Sequence, residues 1–199
     1  MKMIIGLTGG IATGKSTVSK MIKERGLPVV DADVIAKKVV LPGEVGYRWI
    51  VDYFGKEILT DSMTIDRKKL GTIIFNDAEK RKRLNEIVHP EVRKEMKRQT
   101  EELLARGFET IIQDIPLLIE SKLEGTVDKI LLVYVPEKVQ LERLMERDNS
   151  TKEEALSRIR SQIPIDEKKN YASAILHNDG TISETEKQLD KLLLEWGIK

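Results

Sequence analysis

Apolar residues fall along this chain in two rhythms. Short continuous runs alternate with longer stretches in which they recur every three or four positions. The short runs read as buried strands: Ile4, Ile5 and Leu7; Leu27 to Val30; Thr110 to Gln113; Lys129 to Val135; and Ala172 to Leu176. Lys129 to Val135 (KILLVYV) is the most continuous and belongs at the centre of a sheet. Helical spacing fills the intervals. Thr17 to Arg25 carries Val18, Met21 and Ile22, and Gly43 to Phe54 carries Val45, Trp49, Ile50 and Phe54. Val34, Ile35, Val39 and Val40 predict a helix up to Pro42. Glu137 to Asp148 places Leu141, Leu144 and Met145 on its packed side, and Ser183 to Trp196 does the same with Leu189, Leu192, Leu193 and Trp196. Asp66 and Asp77 read as caps of RKKLGTIIF and AEKRKRLNEIV, and Thr151 with Glu154 as the capping box of Thr151 to Ile163. His89-Pro90 reads as a break before a polar helix that runs to about Arg106. Strands that alternate with helices predict an α/β fold with a parallel sheet. The stretch from Pro42 to Arg106 is too long for an ordinary crossover and reads as a helical insertion.

The first strand leads into chemistry. Gly9 to Ser16 fits G-x-x-x-x-G-K-[ST], between a strand and a helix. Glycines let the backbone turn sharply and bring N–H groups to phosphate oxygens, and the helix N-terminus faces the same anion. Gly10, Ile11, Ala12, Thr13, Gly14, Lys15, Ser16 and Thr17 are therefore the candidate ATP-binding residues. Lys15 can reach the β- and γ-phosphates, and the Ser16 hydroxyl can sit on Mg²⁺. Asp114 ends an apolar strand, an arrangement that resembles the Walker B carboxylate that holds Mg²⁺; a loop residue accepting backbone N–H groups is the alternative. Asp31 and Asp33 lie at the end of the second strand, where α/β sheets gather ligands. Asp31 reads equally well as a helix cap, whereas Asp33 reads as functional. Arg143 and Arg147 share a helix face and can neutralise a transferring phosphoryl group from a lid; pairing with Glu142 or Glu146 is the alternative.

Composition narrows the partners. The chain has 199 residues, 40% apolar and 34% charged, with a formal net charge of +1. That suits one domain and gives no global case for nucleic acid or an anionic membrane. Residues 66–106 hold 12 Lys/Arg against 8 Asp/Glu, densest at Lys80 to Arg83: a solvated helix face, or a docking surface for an anionic substrate. There is no cysteine, which excludes disulfides and thiolate chemistry. The start MKMIIGLTGG lacks the apolar stretch of a secretory signal, and no apolar run approaches the ~20 residues of a membrane span. A cytoplasmic protein, monomeric or a small homo-oligomer, is the expectation.

Together these segments resemble the dephospho-coenzyme A kinase family over nearly the whole chain. The resemblance is carried by Ile5 to Ile11 with Gly14-Lys15-Ser16, by Asp31 to Ala36 (DADVIA), and by Leu84 to Pro90 (LNEIVHP). Pro116-Leu117-Leu118 before Glu120, Gln140 with Arg143 and Arg147, Ser161-Gln162, and Asn178 before Gly180 also match. It implies ATP-dependent phosphorylation of the ribose 3′-hydroxyl of dephospho-coenzyme A, with Mg²⁺. It also implies a three-layer P-loop kinase fold with a five-stranded parallel sheet. Residues 1–33, 107–136 and 172–199 would form the nucleotide-binding core, residues 34–106 the helical substrate region and residues 137–171 the lid. In that pattern Asp33 is the base, and Lys15 with Arg143 or Arg147 holds the phosphoryl group. Asn178 lies near adenine, and His89 and Leu117 belong with the substrate. His89 also fits a capping or buried hydrogen-bonded histidine.

Four positions depart from the pattern. Ala12-Thr13 stands where Gly-Ser is usual, Ile119 where Phe is usual, and Ser173 where Asp is common. Two alternatives remain: another small-molecule or nucleotide kinase on the same core, or an ATP-binding regulator without catalysis. A GTPase switch is disfavoured, since no Asn-Lys-x-Asp motif occurs.

Overall fold

Five strands join in one parallel sheet: β1 (Met3–Gly9), β2 (Val29–Asp31), β3 (Thr110–Asp114), β4 (Lys129–Tyr134) and β5 (Ala174–His177), in the order β2-β3-β1-β4-β5. The computed structural model describes residues 2–198. It divides into two compact units, residues up to Val30 with those from Leu103 onward, and Asp31–Glu102. Among the described residues no helix is long and apolar enough to cross a membrane.

In the first unit, β1 pairs with β3 (Leu7 opposite Asp114) and with β4 (Leu7 opposite Leu131). The carboxyl ends of these strands therefore share one edge of the sheet, which is where α/β proteins bind ligands. The period-two alternation of β4 divides the core. Leu131 and Val133 pack with Ile5, Leu7 and Ile112 against α1 (Lys15–Glu24) and α9 (Ile182–Glu195), through Val18, Ile22 and Leu189. Leu132 and Tyr134 turn to the other face and meet Ile165. Beyond β4, α6 (Glu137–Asp148) and α7 (Lys152–Arg160) pair around Leu144, Ala155 and Ile159, and Ile11 and Ala12 pack on that cluster. Both hydrogen bonds of the expected capping box, between Thr151 and Glu154, are present. A second one, Thr181 with Glu184, opens α9. The helix expected to reach Ile163 stops at Arg160, and a short α8 (Ile165–Lys168) follows Pro164. β5 begins two residues later than expected, because the Ser173 hydroxyl accepts the Ile130 N–H at 3.0 Å ahead of the ladder.

The second unit holds α2 (Ala32–Lys38), α3 (Val45–Phe54), α4 (Arg67–Phe75) and most of α5 (Ala78–Ala105). Ile50, Phe54, Ile58, Leu70 and Ile87 form its core. Trp49, expected on the packed face of α3, is 50% exposed. The break expected at His89-Pro90 is absent, and α5 runs through Pro90 for 28 residues. Packing on both sides of the proline overrides its preference. Leu84, Ile87 and Val88 join the core, and Met96 and Thr100 are buried farther along. The carbonyl that Pro90 leaves without a partner belongs to Glu86, on an exposed face.

Candidate active site

The loop between β1 and α1 is explained by where its backbone polar groups go. Gly14 has φ 82°, and a Cβ there would collide with Asn178 Nδ2; a Cβ at Gly10 would collide with Gln140 Nε2. Both glycines thus leave room for a side chain that donates to the loop. Asn178 Nδ2 donates to the Thr13 carbonyl at 2.8 Å, and Gln140 Nε2 to the Ile11 carbonyl at 2.8 Å. Lys168 Nζ donates to the Gly9 carbonyl at 3.1 Å. The Gly10 carbonyl accepts from Thr13 N–H and Oγ1, and the Gly14 carbonyl from the N–H groups of Thr17 and Val18. The N–H groups of Ala12, Gly14, Lys15 and Ser16 have no protein partner among the described residues. Such a set of free N–H groups at a helix N-terminus is an anion-binding concavity. Ile11 differs, since its N–H donates to Gln162 Oε1 at 2.8 Å. Of the loop residues expected to bind nucleotide, Thr13 and Thr17 give their amides to carbonyls within the loop, and Ile11 gives its amide to a side chain of a distant segment.

Lys15 Nζ bonds the carboxylate of Asp114, which is 3% exposed at the end of β3. The two charges expected to handle phosphate and metal therefore meet in this structure. Ser16 occupies the first turn of α1. Arg143 donates to the Asn178 carbonyl at 2.9 Å, and its guanidinium lies beside Gly14. Arg147 is not drawn in. It makes two bonds to Asp148, at 2.7 and 3.0 Å, and Arg158 bonds the same carboxylate. The Arg147 and Arg158 bonds hold the Asp148 carboxyl well below the usual carboxylate range. Leu117 is 44% exposed just after Pro116, whose carbonyl accepts from Thr8 Oγ1 at 3.1 Å.

In the second unit, Asp31 caps α2, accepting from the N–H groups of Asp33 and Val34 at 3.0 Å each. The cap reading of Asp31 is thus the observed one. The Asp33 carboxylate is exposed and has no hydrogen-bond or ion-pair partner among the described residues. It borders a recess of about 320 Å³ with Lys37, Val40 and Arg67. His89 and Pro90 border another recess, about 630 Å³, together with Arg81, Lys82 and Arg93. Partial desolvation by its neighbours, and then the Arg93 charge, lower the pKa of the exposed His89 below its ordinary value.

Comparison with known proteins decides the family. The family model of dephospho-CoA kinase matches residues 3–184. The chain belongs to the dephospho-CoA kinase family. A dephospho-CoA kinase of Geobacillus kaustophilus is 54% identical over 196 residues, covering 98% of each chain. A solved dephospho-CoA kinase from Campylobacter jejuni superposes with a TM-score of 0.76 at 32% identity, over 98% of each chain. A shikimate kinase from Acinetobacter baumannii, 14% identical, superposes with a TM-score of 0.53 over 100% of this chain and 97% of that one, which supports the shared fold alone.

Against the dephospho-CoA kinase pattern, two departures acquire physical content. Ala12 has φ 60°, a left-handed conformation in which a Cβ is strained, so the usual glycine would be at ease there. Ser173 uses its hydroxyl on the Ile130 N–H, so a short acceptor remains at that position. Gln140 and Gln162 match the family pattern without a local signal for their role, and Lys168 carries no signal at all. Lys168 is fully buried, with Nζ also 2.6 Å from Glu120 Oε1. Nothing in its local sequence distinguishes it from the neighbouring Lys169.

Proposed function

We propose that this protein transfers the γ-phosphoryl group of ATP to the ribose 3′-hydroxyl of dephospho-coenzyme A. The observation that carries the reading is the family match, which spans residues 3–184 and includes the loop segment, the Asp31–Ala36 segment and the Leu84–Pro90 segment. The free N–H groups of Ala12, Gly14, Lys15 and Ser16 suit the phosphates, and Lys15 then moves from Asp114 onto the β,γ bridge. Arg143, beside Gly14, takes charge that develops on the transferred group. Arg147 would have to leave Asp148 to join it. Asp33 accepts the hydroxyl proton, and its unpartnered, exposed carboxylate is free to do so. His89 and Leu117 contact the acceptor, and the cations around His89 suit its diphosphate. Asn178, tied to the loop through Thr13, adjoins the adenine.

The donor set also fits Mg²⁺. Among the described residues no cluster of three or more His, Cys, Asp or Glu forms a metal cage. Mg²⁺ needs none, because one or two carboxylates with substrate phosphates and water suffice. Asp114 and the Ser16 hydroxyl would hold it once Lys15 turns to phosphate. Bound there, it would supply charge neutralisation to the phosphates. The three-part division into core, substrate region and lid, and a cytoplasmic location, belong to the same reading.

The test is ADP release by the purified protein with dephospho-coenzyme A as acceptor, against nucleoside monophosphates and shikimate. Release well above the acceptor-free background with dephospho-coenzyme A, and with a 3′-phosphorylated product, is expected. Equal or faster release with another acceptor would overturn the assignment.

A further inference from the structure

A loop that turns its N–H groups toward phosphate must turn its carbonyls away, and each buried carbonyl then needs a donor. Here the carbonyls at alternate positions, Gly9, Ile11 and Thr13, are served by Lys168, Gln140 and Asn178, three side chains from distant segments. Ile11 is held on both sides of its Cα: Gln140 Nε2 donates to its carbonyl, in the peptide shared with Ala12, and Gln162 Oε1 accepts its N–H, in the peptide shared with Gly10, each at 2.8 Å. Gln140 is 2% exposed, and its Oε1 has no partner. A buried amide that makes a single bond is a costly way to fill space, and Met or Leu would pack there without the penalty. What Gln140 contributes is therefore its bond to the loop.

We infer that Gln140 and Gln162 are positioning residues for the nucleotide. Together they fix the two peptides that flank Ile11, the second of which carries the Ala12 N–H, and through them the free N–H groups that follow, in the phosphate-binding arrangement before ATP arrives. Neither glutamine needs to touch ATP. The committed Ile11 amide is the signature of this role, because it would otherwise be free to turn. The inference rests on the reading that the loop binds ATP and is independent of the acceptor's identity.

The experiment measures ATP binding by calorimetry without any acceptor, in Gln162→Met, Gln140→Met and the double variant. Each single change is expected to weaken ATP binding about tenfold, the equivalent of one hydrogen bond's preorganisation. Because both bonds restrain the same residue, one on each side of its Cα, the double variant is expected to lose no more than about twofold beyond the weaker single variant. The KM for dephospho-coenzyme A should stay unchanged, as should the thermal midpoint of the Gln162→Met protein without nucleotide. Should Gln140→Met fail to fold, Gln162→Met alone decides, since Gln162 is only partly buried. Unchanged ATP affinity in Gln162→Met, or an equal rise in both KM values, would overturn the inference. Fully additive losses would overturn the shared clamp. A protein that binds ATP as expected yet ignores dephospho-coenzyme A would defeat the functional assignment and leave this test intact.

Discussion

The two compact units hold their candidate residues in opposite ways. In the first, the phosphate loop is fastened by side chains far away in sequence: Asp114 on Lys15 is 99 residues off, Gln140 on Ile11 is 129, and Asn178 on Thr13 is 165. Most of these partners are buried or half-buried. In the second, Asp33 is exposed and unpartnered, and His89 sits on an open helix face. The capping bonds next to Asp33 span two and three residues. The difference teaches where substitutions should affect fold and chemistry together and where they should separate. A charge inside a long-range buried network is structural and functional at once. An exposed carboxylate can be altered with little structural consequence.

The largest effect is expected at Lys15. Lys15→Ala should lower turnover by about a thousandfold or more, through lost phosphate stabilisation. It should also cost about 3 kcal/mol of stability, because the buried Asp114 loses its cation. Adding Asp114→Asn should recover the stability in urea titrations and leave turnover low. Recovery of both would mean that Lys15 serves only the fold. Asp33→Asn comes next and should break the comparison cleanly. A fall in kcat of about 10²–10⁴ is expected, with the acceptor KM and the melting midpoint nearly unchanged. If the KM alone moved, Asp33 would be a binding group and not the base.

Each unit also contains a carboxylate set between cations, and here the two should behave alike. Bonds from Arg147 and Arg158 depress the Asp148 pKa, and bonds from Arg98, Gln99 and Lys38 depress that of Glu95. A folded-state value below the unfolded one, about 4, means that the unfolded chain takes up the proton first. The contribution is then full above about pH 4 and is lost as the pH falls toward the folded-state value. Asp148→Asn and Glu95→Gln should each show a smaller drop in melting midpoint between about pH 5 and about pH 3 than the parent protein. Equal drops would mean that these pairs are too solvated to matter. The smallest effect is expected at Ala12. Ala12→Gly relieves left-handed strain and adds freedom to the unfolded chain, and the two should cancel to within about 1 kcal/mol in chemical denaturation.

Most of the architecture was written in local pattern. Continuous apolar runs such as Ile111-Ile112 and Ile130 to Val135 fall in or directly against the five strands, because a strand covered on both faces has no polar side to show. Caps at Asp66 and Thr151 were legible because the bond closes within three residues. The loop at Gly9 to Ser16 was legible for the same reason, since its geometry demands glycines at fixed spacing. Where local preference met packing, packing prevailed. Pro90 sits inside a continuous helix that buries residues on both sides of it, Ile87 before and Met96 after, and Trp49 lies half in solvent although its spacing matched the core.

The partners of the loop were beyond such reading. Gln140, Gln162 and Lys168 lie in polar stretches that look like solvated surface, and although the two glutamines match the family pattern, nothing in their local sequence shows what they bond. Arg143 and Arg147 share one helix face, yet one reaches Asn178 and the other turns to Asp148. Hydrophobic period and capping chemistry act over a few residues, so a chain displays them before it folds. A hydrogen bond between residues 129 or 165 positions apart exists only after the sheet has set its register and brought both ends to one edge.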